Sequence, residues 1–154
     1  MSESWQPTLL DLAQSFDKLA DRLDDDERVM LDPYIEQTMR DAVFHLELYI
    51  PGLEPAFDPD AARALEKAAM AALERGDDRE ALSRALRGLA HAPHDPGLFY
   101  AAASACFEAG AVELALRLLC HVLWIHPGHR AARGDLDALS AFLDDSDDQE
   151  RRAA

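Results

Sequence analysis

Residues 62–95 read ARALEKAAMAALERGDDREALSRALRGLAHAPHD, and residues 96–129 read PGLFYAAASACFEAGAVELALRLLCHVLWIHPGH. Laid over one another, the two stretches place Ala69 on Ala103, Gly76 on Gly110, Ala81 on Ala115, Leu82 on Leu116, Leu89 on Leu123 and Pro93 on Pro127. The offset is 34 residues at every pair, a period that marks a stack of helical hairpins. Small residues at 69, 81, 103 and 115 let the two helices of a hairpin approach closely. Gly76 and Gly110 supply the left-handed backbone that ends a first helix. Pro93 and Pro127 stop the second helix so that the chain can reverse. Asp77 or Asp78 supplies an N-cap for the second helix of the first unit.

Working outward, Asp58-Pro59 and Asp95-Pro96 each combine an N-cap with a proline in the first helical turn, the signal of a helix start. Residues 129–143 read as one more helix, apolar at Leu136, Leu139 and Phe142, which covers the open end of the stack. Residues 144–154 offer nothing to bury and read as a disordered acidic tail. Upstream, Leu9, Leu12, Ala13, Phe16, Leu19, Ala20 and Leu23 form one apolar helical stripe, with Thr8 and Asp11 resembling a capping box at its start. After the acidic run at 24–27, read as a solvated turn, Asp32-Pro33 opens a second helix. Its stripe is Tyr34, Ile35, Thr38, Met39, Ala42, Val43, Leu46 and Ile50, ended by Pro51-Gly52. The expected organisation is all-α: a two-helix segment over 1–57, two hairpin units plus a capping helix over 58–143, and the tail.

The chain has 154 residues and is 49% hydrophobic, enough to bury a core. Its formal charge is −15, of which −11 falls in residues 1–60. Such a surface repels nucleic-acid phosphates and anionic lipid. No apolar stretch approaches the roughly 20 residues that span a bilayer, and the N-terminus lacks a basic segment followed by an apolar one, so no membrane insertion and a cytoplasmic location are expected. Cys106 and Cys120 sit in apolar helical pattern and read as buried thiols.

By these glycine, alanine and proline positions, residues 60–143 resemble the tetratricopeptide repeat family. The tryptophan and tyrosine usual in that family are replaced by Leu65, Ala72, Phe99 and Cys106. Size, acidity and an N-terminal helical segment also resemble the class II chaperones of type III secretion systems, which hold translocator proteins in the cytoplasm. The resemblance implies that the first helix of each unit lines a concave face. Arg63, Glu66, Met70, Leu73 and Glu74 then lie beside Tyr100, Ser104, Phe107 and Glu108, with Gly134, Ala138 and Phe142 from the capping helix. Met70, Leu73, Tyr100, Ser104, Phe107 and Phe142 are the expected partner-binding residues, on a surface suited to an amphipathic helix or an extended apolar segment. The alternative is that the same residues pack against the chain's own N-terminal helices, which also need a place to bury their stripes. With no asparagine and only Lys18 and Lys67 as lysines, a carboxylate clamp for a partner's C-terminus is excluded.

His91, His94, His126 and His129, with Cys120 and His121 nearby, are brought together by the repeat but form no compact metal-ligand motif. Histidine at a helix C-terminus is favoured by the helix dipole alone. His45 lies mid-helix and reads as a surface or interface residue. The sequence has no phosphate-cradling glycine loop, nucleophile elbow or HExxH. The expected function is therefore not an enzyme's and needs no metal or cofactor. It is an adaptor or chaperone for another protein or peptide; the alternative is a structural subunit that forms a homodimer or larger assembly through the N-terminal helices.

Overall fold

The computed structural model describes residues 5–25, 33–46 and 57–153, and among them every regular element is a helix. They are α1 (Trp5–Asp25), α2 (Pro33–Leu46), α3 (Pro59–Glu74), α4 (Asp78–His91), α5 (Pro96–Glu108), α6 (Val112–Ile125) and α7 (Arg130–Ala153). The α3/α4 and α5/α6 pairs are hairpins, joined through packing of α4 on α5, and α7 packs on α6.

The 34-residue offset is visible in the backbone. Gly76 has φ +76° and Gly110 φ +89°. At the first turn Gly76 N–H donates to Leu73 C=O at 3.1 Å and Asp77 N–H to Ala72 C=O at 2.9 Å. At the second, Gly110 N–H donates to Phe107 C=O at 3.0 Å and Ala111 N–H to Cys106 C=O at 2.9 Å. Both are Schellman closures, which use the carbonyls that a helix end leaves over.

Helix starts follow the aspartates. Asp58 accepts from Ala61 N–H, Asp77 from Glu80 N–H, and Asp95 from Gly97 and Leu98 N–H. Helix α6 has no side-chain cap. Helix α7 is capped by a residue outside the usual set: His129 Nδ1 accepts from Ala132 N–H at 3.1 Å. The Thr8 capping box is not at a helix start, because α1 already begins at Trp5. Helix α7 also continues through Ala153, so residues expected as a disordered tail extend a helix already nucleated, where each added residue costs little.

The core is alanine- and leucine-rich, with Ala69, Ala72, Ala81, Ala85, Ala101 and Ala105 fully buried at the hairpin seams. The α4/α5 crossing is tightest at Gly88, where an added Cβ would come 2.5 Å from a Leu98 methyl. Within the N-terminal stripes, Leu12, Phe16, Leu19 and Leu23 of α1 and Ile35, Met39 and Val43 of α2 are buried. Helix α1 lies on α4 and α2 on α6, and Phe16 meets Phe99 edge-on at 6.5 Å.

A polar row on α4 reads the acidic side of α1. Arg79 Nε donates to Leu23 C=O at 2.5 Å, Ser83 donates to Asp24 at 2.8 Å, and Arg87 reaches Asp17, Asp21 and Asp24. Arg79, Ser83 and Arg87 are four residues apart and share one face. Burial alone would raise the Asp24 pKa, but hydrogen bonds from Ser83 and Arg87 outweigh it and hold the carboxyl below its ordinary range. Asp24, expected in a solvated turn, is thus part of the α1–α4 interface. Arg40 of α2 reaches Glu113 of α6 at 3.4 Å, an exposed pair that contributes little. Pro51-Gly52 and the side chains of Tyr34 and His45 lie outside the described residues.

Candidate functional site

Helices α5, α6 and α7 enclose an apolar groove of about 470 Å³. Ala103, Phe107, Val112, Leu119, Leu139 and Phe142 give it its apolar lining, with Ala138 between the larger groups. Phe107 is 44% exposed and Phe142 60% exposed. Two phenylalanines held open on facing helices are costly to leave in water, since each offers a large apolar area that burial would stabilise. Glu108 and Asp135 stand at the groove, and Ser104 adds a hydroxyl.

The groove is braced at one end. The Tyr100 hydroxyl donates to Asp135 at 2.6 Å and accepts from Ser104. Burial first, then Asp135, pushes the Tyr100 phenol up to about 12. The Tyr100 ring lies 5.0 Å from that of His129, the residue that caps α7. One aromatic side chain therefore touches both the start of α7 and its first turns.

The expected partner-binding residues divide. Tyr100, Ser104, Phe107 and Phe142 come together around this groove. Met70 does not join them: it is 39% exposed on a separate hollow of α3, with Arg63, Glu66, Lys67 and Glu74. Leu73 is partly buried against the core. From α7, Asp135 and Leu139 line the groove with Ala138 and Phe142. Helices α1 and α2 contribute none of its lining residues, so the described N-terminal helices occupy another face. Val112 and Leu119 of α6 were not foreseen, because a reading that assigns the site to first helices omits the floor beneath them.

Four of the six histidines form two pairs. His94 and His121 are buried with ring centroids 6.2 Å apart, and His121 lies between Phe99 at 4.6 Å and Trp124 at 5.7 Å. His126 and His129 are 5.9 Å apart. Among the described residues no group of three His, Cys, Asp or Glu side chains is placed to hold a metal. Cys106 is buried, with its thiol pushed up to about 12 by burial and the charge of Glu36. Cys120, expected buried, is exposed because it falls on the outer side of α6. No described helix is long and apolar enough to cross a membrane. No family model matches the sequence, and no curated protein matches it significantly.

Proposed function

We propose that this chain is a protein-binding module of the tetratricopeptide type, an adaptor or chaperone that holds a segment of another protein in the α5–α7 groove. The observation that carries this reading is the apolar groove itself, with Phe107 and Phe142 exposed on opposite walls. Solvent-exposed aromatics beside small residues are the usual anchors of an interface, because a few large desolvated side chains supply most of its energy. The repeated Schellman turns at Gly76 and Gly110 support the kinship with tetratricopeptide hairpins. The acidic charge fits a cytoplasmic protein that does not bind nucleic acid.

Assembly through the N-terminal helices is the less favoured reading. Among the described residues, the stripe positions Leu12, Phe16, Leu19, Leu23, Ile35, Met39 and Val43 are already buried within the chain, so they are not free to meet a second subunit. The test is affinity capture from lysate with the unaltered chain and with Phe142→Ser, the bound proteins being identified by mass spectrometry. Proteins recovered by the first and lost by the second are expected; an identical set from both would remove the groove from the reading.

A further inference from the structure

The walls of the groove are helices, so their backbone N–H and C=O groups are paired internally. The polar side chains that reach it are Ser104, Glu108 and Asp135, and two of these already serve the Tyr100 hydroxyl. An extended segment laid here would desolvate a row of its own backbone donors and acceptors against a surface without a ladder to receive them. A helix arrives with those groups already paired.

Charge gives a second, independent constraint. Every charged side chain lining this groove is a carboxylate, Glu108 or Asp135, and both are exposed. The hollow on α3 differs, since Arg63 and Lys67 stand there beside Glu66 and Glu74. Most of the chain's −15 lies in residues 1–60, away from the groove, so the constraint rests on Glu108 and Asp135 themselves.

We infer that the occupant is an amphipathic helix whose apolar face is flanked by lysine or arginine, an inference that rests on the groove reading and narrows it. Tyr100 to Phe107 on one wall and Asp135 to Phe142 on the other each cover about 10 Å at 1.5 Å per residue, so the groove grips about two turns. Large aliphatic side chains at i, i+3 or i+4, and i+7 of the partner enter the space over Ala103 and Ala138, between the two phenylalanines. Basic side chains beside them lay their stems along the groove and carry their charge to Glu108 and Asp135.

The test uses the full chain and three labelled synthetic peptides in fluorescence anisotropy. Two are helical twins with the same leucine face, flanked by lysine in one and glutamate in the other; the third is the lysine twin with its helix broken by proline. The lysine twin is expected to bind about ten-fold tighter than either companion at low salt, with its advantage over the glutamate twin shrinking near 1 M salt, where the screening length is about 3 Å. Glu108→Lys should reduce that advantage, and Phe142→Ser should weaken the lysine twin about ten-fold. Equal binding of the charge twins, lost in Phe142→Ser, overturns the basic preference and leaves the groove reading intact. Equal binding of the proline-broken peptide overturns the helix. Undiminished binding of the lysine twin to Phe142→Ser assigns it to the acidic surface at large and overturns the inference. Binding of no peptide overturns both readings, and a Phe142-dependent dimer in sedimentation would then give the groove to a second copy of this chain.

Discussion

The Tyr100 hydroxyl donates to an Asp135 carboxylate oxygen at 2.6 Å, and this bond joins α5 to α7 at the end of the groove. It is a charge-assisted bond, but Asp135 is exposed, so water competes for the carboxylate and the stabilisation is modest. Tyr100→Phe and Asp135→Asn should each cost about 1 kcal/mol in denaturant unfolding. The double variant should cost little more than either alone, since one interaction is removed only once. Additive losses would mean that the two side chains act separately.

Gly110 sits at φ +89° with nothing within 4 Å of where a Cβ would stand. A side chain there meets no neighbour, so the cost of substitution is that of the backbone conformation alone. Gly110→Ala should lower stability by about 1–2 kcal/mol and Gly110→Val by more, because branching at Cβ worsens the same strain. Gly76→Ala should behave alike. Unaltered melting temperatures for both alanine variants would contradict the left-handed turns.

The turns were legible because glycine and proline act through the backbone, where one residue decides one dihedral angle. Placement of the N-terminal helices was not. The stripe from Leu12 to Leu23 shows which side of α1 is buried, but only the row Arg79, Ser83 and Arg87 shows on what, and those residues lie more than 50 positions away. Met70 and Ser104 occupy matching stations 34 residues apart, yet only Ser104 lines the groove, because α7 supplies the second wall beside α5 alone. The His129 cap was hidden for another reason: an imidazole nitrogen does here what Asp58, Asp77 and Asp95 do elsewhere, and histidine is outside the usual capping set.

Stability should fall in mild acid through the buried imidazoles. Burial, then the charge of Arg117, pulls the His121 pKa down to about 4; burial, then His121, pulls that of His94 down to about 3, both from 6.5. Between those values and 6.5 the unfolded chain binds protons that the folded chain does not, so stability is complete above about pH 6.5 and declines as pH falls. At pH 5 the loss is about 2 kcal/mol for each histidine by linkage. Glu66 acts in the opposite sense, its pKa raised by burial and by Asp95, so the folded chain holds that proton more firmly. Urea midpoints at pH 7 and pH 5 should differ, and His121→Leu should narrow the difference. A flat profile would show that the imidazoles are protonated without unfolding.

Removal of residues 1–57 should expose the face of α4 that α1 covers, and with it Phe99, on which Phe16 packs. The truncated chain is expected to aggregate or to fold only at low concentration. The cause lies outside the groove, whose lining takes no residue from α1 or α2, so Phe107→Ser and Phe142→Ser should not restore solubility. A monodisperse truncated chain with an unchanged melting temperature would show that the hairpins need no cover.

Phe107 distinguishes a binding groove from a packing surface. At 44% exposed it gives up only part of its area on folding, so Phe107→Ala should cost well under the roughly 3–5 kcal/mol of a buried phenylalanine. Had α1 or α2 filled the groove, the same change would have opened a cavity and lowered the melting temperature markedly. With α1 on α4 and α2 on α6, the variant should fold nearly as well as the unaltered chain. The cost should instead appear on binding, at about 1–3 kcal/mol, since the exposed part of the ring is buried only when a partner arrives. Phe99→Ala supplies the contrast: it is 1% exposed and packed on Phe16 and His121, so it should lose several kcal/mol of stability. Calorimetry beside partner capture separates the two quantities. A folded Phe107→Ala variant that binds its partner undiminished would place the docking surface elsewhere, with the hollow around Met70 on α3 as the next face to test.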